Sequence, residues 1–241
     1  MQWWRDVITT DLTRDHNRWI NTGREGQGPL ELIEDVDLSG IRLSGVTFEY
    51  STFRKCRFTD TGIEYSRFNH ATLVECFTDT ANLSHCRFNN ALFVDCRFPR
   101  VDFRWAHFAG TRFRNSTFDG SAFTDGGIVD AVIEDCSFRR ARFDIQVDRS
   151  HLRGCDLREA NFSGRPIVGH SYETHFENCD FRGADFTERR FRDTTFTRCK
   201  FAGVKGRAVL EGPVHVIEPD FSDAGDGSAI RSAEAALAMW R

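Results

Sequence analysis

Tyrosine and methionine are scarce in this 241-residue chain, at three and two, and no run of about 18 apolar residues occurs. The second absence excludes a membrane-spanning helix of ordinary length. The N-terminus, MQWWRDVITTDLTRD, lacks the apolar stretch a secretory leader needs. The expectation is a cytoplasmic protein with no membrane partner. An excess of one charge is also missing. With 32 basic and 36 acidic residues the net charge is −4, too balanced for direct nucleic-acid binding or an acidic tail. There is no Gly-rich phosphate loop, no H-E-x-x-H, no G-x-S-x-G elbow and no C-x-x-C. The eight histidines are scattered. No catalytic residue, metal site or cofactor is therefore expected, and function should lie in shape and surface.

What the chain has is phenylalanine, 23 of them. In CRFNNALFVDCRFPRVDF, Phe88, Phe93, Phe98 and Phe103 recur every fifth residue, and Cys86, Ala91, Cys96 and Val101 stand two places before each. Apolar centres continue in steps of five from Leu38 to Phe143, with Thr78 the one exception. Shorter runs cover Leu152, Leu157 and Phe162, then Phe176 to Phe201; only Phe77 and Phe221 fall outside the period. Five residues on an α-helix rotate a side chain by about 140°, so no face forms. On a strand an odd step alternates faces. The chain must therefore turn once per five residues, with each centre directed at a common axis. Fixed self-similarity of this kind is the signature of a solenoid. One large and one small inward residue per side would fill a narrow tube.

Units such as VDLSG (36–40), ANLSH (81–85), VDFRW (101–105), CDLRE (155–159), ANFSG (160–164), CDFRG (179–183) and ADFTE (184–188) resemble the pentapeptide repeat family, with its loose consensus A(D/N)LXX. The resemblance covers about Val36–Gly203. It implies an all-β fold, a right-handed quadrilateral parallel β-helix with four pentapeptides per coil. About eight coils are expected, roughly 40 Å long at about 4.8 Å per coil. The expected organisation is a helical cap and linker over 1–28, the β-helix over 29–205 with a loop near 163–175, and a strand, loop and helix over 206–241. Some members protect DNA gyrase and topoisomerase IV from quinolones or other topoisomerase poisons. The resemblance thus implies a DNA-like rod with acidic faces, a gyrase or topoisomerase IV partner, and a homodimer formed through a C-terminal helix. The charge is a departure: Val36–Phe201 carries 24 Arg and Lys against 23 Asp and Glu, whereas duplex DNA bears a negative charge every 1.7 Å or so. A general interaction scaffold with another partner is the alternative.

All eight cysteines (56, 76, 86, 96, 136, 155, 179 and 199) occupy the small inward slot. A 20-residue coil stacks Cys56, Cys76, Cys96 and Cys136 in one column, with Ser116 in the gap. A disulfide ladder or metal site is one reading; buried thiols as small apolar plugs are the other, and the parallel Cβ directions of a ladder favour plugs. The period slips between Phe143 and Leu152, read as four extra residues in IQVDRSH, and again between Phe162 and Phe176. The second slip exposes Arg165, Pro166, Ile167, Val168, His170 and Tyr172 as a partner-binding loop or a tolerated bulge. Arg189 stands in a small-residue slot and must tilt outward or mark an edge. Trp3, Trp4, Val7, Ile8, Leu12 and Trp19 read as an N-terminal helical cap. Near the other end Ile230, Ala233, Leu237 and Trp240 form a helical stripe that either covers the last coil or dimerises the chain.

Overall fold

The computed structural model describes residues 10–22, 30–163, 169–229 and 231–240. Trp3, Trp4, Val7, Ile8, the turn at 23–29, Arg165, Pro166, Ile167, Val168 and Ile230 lie outside the described residues.

One repeat unit shows how the chain turns. In Ala91–Asp95, Ala91 and Phe93 are buried, Leu92 and Val94 alternate with them on the outer side, and Asp95 adopts φ of 55°. Three extended residues place the first and third side chains inward. One left-handed residue then redirects the backbone. The same conformation recurs two residues after most centres, at Tyr50, Lys55, Asp60, Tyr65 and His70 among others. Four such corners close a coil, and the next coil pairs with it in parallel: Thr72 with Leu92, Leu92 with Arg112. Ten strands stack into one face, from Leu32–Glu34 to Val214–Ile217. Ten stacked strands bound nine coils, one more than expected, because pairing begins before Val36 and continues past Gly203. Chains of parallel bridges, such as Asp37–Arg57–Phe77–Arg97, and a five-stranded sheet build the other faces.

The interior is a set of aromatic columns. Phe68, Phe88 and Phe108 stack with centroids 4.9 and 5.2 Å apart. Within a coil, Phe93 meets Phe98 edge to face, the geometry the ring quadrupole favours. Thr78 takes its centre's place and donates to Phe58 O at 3.0 Å, while Phe77 turns outward beneath the Arg57 guanidinium, 4.6 Å away.

Several small-slot side chains also bond along the axis. Some hydroxyls donate to a carbonyl of the preceding coil: Thr111 to Phe88 O at 2.6 Å, Ser121 to Phe98 O at 2.9 Å. Thiols do the same, Cys76 to Phe53 O and Cys199 to Phe176 O, both at 3.4 Å. All eight cysteines are free and buried. Seven of them share one column with Ser116, since the register changes carry Cys155, Cys179 and Cys199 into line with Cys136. Burial pushes the Cys86 thiol up to about 12 and raises Cys136 and Cys179 as well. All eight are buried apolar plugs.

The first slip differs from its sequence reading. Ile128 pairs with Val147 and Ile133 with Leu152, 19 positions apart where earlier pairs are 20 apart. Val147 is therefore itself a centre, and the coil lacks one residue rather than carrying four extra. The second slip is an insertion of four: Val147 pairs with Ser171 and Leu152 with Phe176, each 24 apart. A further omission separates Phe191 from Leu210, 19 apart. It is made good before Val216, which pairs with Phe196 at 20.

Both ends are closed by helices. Thr10–Asn21 lies against the first coils, where Asn17 accepts from Arg67. Ala233–Trp240 packs back over the last coils. No described helix is long and apolar enough to cross a membrane.

Candidate functional site

Three of the register changes fall at one corner of the rod. This corner receives the left-handed residue that follows each third-face centre: Gly45 after Leu43, Tyr65 after Ile63, His85 after Leu83, Trp105 after Phe103 and Asp125 after Phe123. After Phe143 the corner residue is missing, and Asp144 runs directly into the buried slot residue Ile145. After Phe162 the four extra residues enter, between the described Ser163 and Gly169. Glu188 restores the corner, and the next coil omits it again between Gly206 and Leu210. The compensating extra residue, between Leu210 and Val216, sits at the following corner.

The same edge carries the most exposed aromatics of the rod. Tyr65 is 61% and Trp105 49% exposed, at φ of 58° and 62°. Bulky residues are uncommon in the left-handed region. His85 lies between them, parallel to both, with centroids 4.3 Å from Tyr65 and 5.8 Å from Trp105. Arg67, Arg87 and His107 flank the stack on the adjoining face. Partial burial and the neighbouring Arg87 hold His107 below its ordinary value, so the cation there at pH 7 is Arg87. On the other side Arg104 is held by Asp102 through a 2.6 Å contact. The signal for this ladder in the sequence is the 20-residue spacing of Tyr65, His85 and Trp105.

In the coil that follows the four-residue insertion, Arg189 is fully buried. Its slot is filled by Val46, Ser66, Cys86, Ala106 and Gly126 in earlier coils. A Cβ at Gly126 would fall 1.8 Å from Ala106 O, so the column is tight there. Where the insertion interrupts it, Gly169 supplies no side chain, and Arg189 points inward, neither tilting outward nor marking an edge as its slot suggested. Its guanidinium donates to Phe143 O at 2.8 Å, Ile145 O at 2.9 Å, His170 O at 2.6 Å and Ser171 Oγ at 2.8 Å. The ladder between these coils begins only at Val147–Ser171, and among the described residues the Phe143 and Ile145 carbonyls take their hydrogen bonds from the arginine. Burial pushes its pKa down to about 9, still a cation at neutral pH.

His170 and Tyr172, two of the sequence-predicted loop residues, are brought together, their rings stacked 4.3 Å apart. His170 Nε2 lies 3.3 Å from Asp148 Oδ2, and Tyr172 N donates to Asp148 Oδ1 at 3.0 Å. Burial raises the Asp148 carboxyl, but bonds from His170, Gln146 and Tyr172 outweigh it and hold the group below the usual carboxylate range. The Tyr172 hydroxyl donates to Glu211, which also pairs with Arg190 at 2.8 Å, and Arg192 lies 4.1 Å over the Tyr172 ring. The Ser171 hydroxyl beside this His–Asp pair faces the core and accepts from Arg189. The arrangement is one of mutual support, with no accessible nucleophile.

Of the C-terminal stripe, Ala233, Leu237 and Trp240 pack on the last coils. Trp240 is buried, with its ring centroid 5.7, 5.3 and 5.2 Å from Phe186, Phe196 and Phe201. Ala236 is buried, and Ala233 and Leu237 pack partly buried on the same core. Among the described residues, no group of three or more His, Cys, Asp or Glu is placed to hold a metal ion.

Comparison with known proteins agrees with this architecture. A family model described as pentapeptide repeat region matches residues 46–123, and one described as pentapeptide repeats (8 copies) matches residues 172–205. The chain belongs to the pentapeptide repeat family. No curated protein matches it by sequence. Among solved structures it is similar to full-length QnrB1, a plasmid-mediated fluoroquinolone resistance protein, at 17% identity, over 86% of this chain and 97% of that one, with a TM-score of 0.36. It is also similar to HetL, involved in heterocyst differentiation regulation in the cyanobacterium Nostoc, at 15% identity, over 89% and 97%, TM-score 0.28. A third is a thylakoid-lumen pentapeptide repeat protein of Arabidopsis thaliana, at 29% identity, over 43% and 74%, TM-score 0.22.

Proposed function

We propose that this protein is a non-catalytic interaction scaffold, and that its partner-binding surface is the corner running from Tyr65 through His85 and Trp105 to the insertion beside His170 and Tyr172. The carrying observation is that exposed aromatics and register changes, neither of which the stack needs, coincide on one edge of a rigid rod. Segments that break a regular scaffold are disproportionately used for binding. Exposed Tyr and Trp beside Arg are the residue types enriched at binding hot spots.

The narrower form of the proposal takes DNA gyrase or topoisomerase IV as the partner, with resistance to a topoisomerase poison as the outcome. Family resemblance and the inserted loop favour it; the near-neutral body opposes a DNA-mimicking mode. We place the protein in the cytoplasm, where eight buried thiols stay reduced. A homodimer through the C-terminal helix would require that helix to leave the rod end.

The test is a paired one. Purified protein is added to gyrase supercoiling assays with and without a fluoroquinolone, beside a Tyr65→Ser/Trp105→Ser variant. Relief of inhibition by the native chain and its loss in the variant are expected. No effect of either removes the topoisomerase partner. Equal effect of both removes the edge.

A further inference from the structure

Besides the Asn17–Arg67 bond at its surface, the N-terminal helix is tied to the rod by one buried side chain. His16 is fully buried although the residues beside it on the helix, Asp15 and Asn17, are exposed or half-buried. Its Nδ1 accepts from the backbone N–H of Leu30, 3.3 Å away. Leu30 N can only donate, so that nitrogen carries no proton, and the imidazole hydrogen sits on Nε2. Nε2 then donates to Glu49 O at 2.9 Å, with Ser51 Oγ at 3.2 Å. Trp19, one turn along the helix, stacks on the ring with centroids 5.1 Å apart. The imidazole thus joins three separate pieces of chain, namely the helix, the lead-in at Leu30 and the first-coil corner at Glu49–Ser51.

We infer that His16 is a pH-sensitive latch that holds the N-terminal helix on the end of the rod at neutral pH and releases it on acidification. A second proton would have to enter at Nδ1, against the Leu30 N–H. It would replace a hydrogen bond by two opposed donors in a site closed to water. The charged groups facing the ring from the rod are Glu31 and Glu49, and both favour the imidazolium. Glu49 is itself engaged by Arg67 at 3.4 Å and by the Asn69 amide at 2.7 Å. On the helix, Asp15 and Arg18 pair with each other at 3.8 Å in solvent. Burial outweighs the two glutamates and holds the docked imidazole below its ordinary value. The sign follows. Docking is at full strength above about 6.5, where the free imidazole is neutral, and weakens as pH falls from there towards the docked value. Beyond closing the rod, the helix lies at the end where Ile33 and Phe48 are buried in the first coil of the described residues. Acidification would therefore uncover apolar surface at one end only.

Amide hydrogen exchange on the full chain at pH 7.5 and 5.0, corrected for intrinsic rates, tests this. In the native chain, protection across Thr10–Asn21 is expected to fall severalfold, approaching the one-proton limit of about tenfold per pH unit, while Phe88–Phe103 stays protected. His16→Gln, whose amide offers one donor and one acceptor, is expected to show no such pH dependence in the helix. Unchanged helix protection in the native chain at pH 5.0 would overturn the latch. So would a His16→Gln helix that loosens with acid as the native one does.

Discussion

At the scale of single residues, the chain is a repeated choice of two inward side chains and one corner. The large inward residue is phenylalanine because a flat ring stacks on its copy one coil away, as Phe93 does on Phe113 at 4.9 Å. Phe93→Ala should lower stability by about 3–5 kcal/mol, read by urea titration; a loss below about 1 kcal/mol would mean the column is not tightly packed. The small slot takes Cys, Ser, Thr and Ala because little else fits. Thiol reagents should modify none of the eight cysteines in the native protein and all eight in denaturant; rapid native labelling would show that the column is open to solvent. Most of this was legible in the sequence, since a period of five is incompatible with either regular element and leaves a turn as the only solution. Arg189 was legible only as a misfit. Its direction depends on the carbonyls of Phe143, Ile145 and His170, which meet only after coils of 19 and 24 residues are stacked. Slip lengths in sequence do not distinguish a missing corner from an inserted strand.

At the scale of elements, strands of two to four residues have no independent stability; each is held by the coil on either side. Discontinuities are therefore where a side chain must replace backbone pairing. Arg189→Met should leave buried carbonyls unpaired and destabilise the protein by at least about 1–3 kcal/mol, the penalty of one unsatisfied buried group. Arg189→Lys should not restore the loss, because an ammonium cannot span four acceptors set in a fork. Recovery of full thermal stability by lysine would show that charge alone matters. The terminal helix is a lid: Trp240 inserts among the rings of Phe186, Phe196 and Phe201. Trp240→Ala should raise hydrogen exchange in Thr194–Thr197 and Val214–Ile217 while leaving Leu92–Val94 unaffected, since a solenoid couples mainly to its nearest neighbours. Uniform loosening of all coils would contradict that picture. The helical stripe itself was visible in sequence. Its destination was not, because spacing shows a face and not what the face meets.

At the scale of the whole molecule, a rod of parallel coils offers four nearly neutral faces and one corner that departs from the repeat. The aromatic ladder at Tyr65, His85 and Trp105 was not recognised from sequence, because it appears only when residues 20 apart are written in columns. The arrangement rests on the stacking register, and a spin-label distance tests it most directly. Labels placed by cysteine substitution at the exposed Arg54 and Arg153, with the native thiols inert, lie five coils apart on the ten-stranded face. Their backbones should be separated by about 24 Å along the axis, five intervals of about 4.8 Å. A single narrow distribution near that value, after allowance for the label arms, is the predicted result. A broad distribution, or one centred beyond about 35 Å, would contradict the stacked coil.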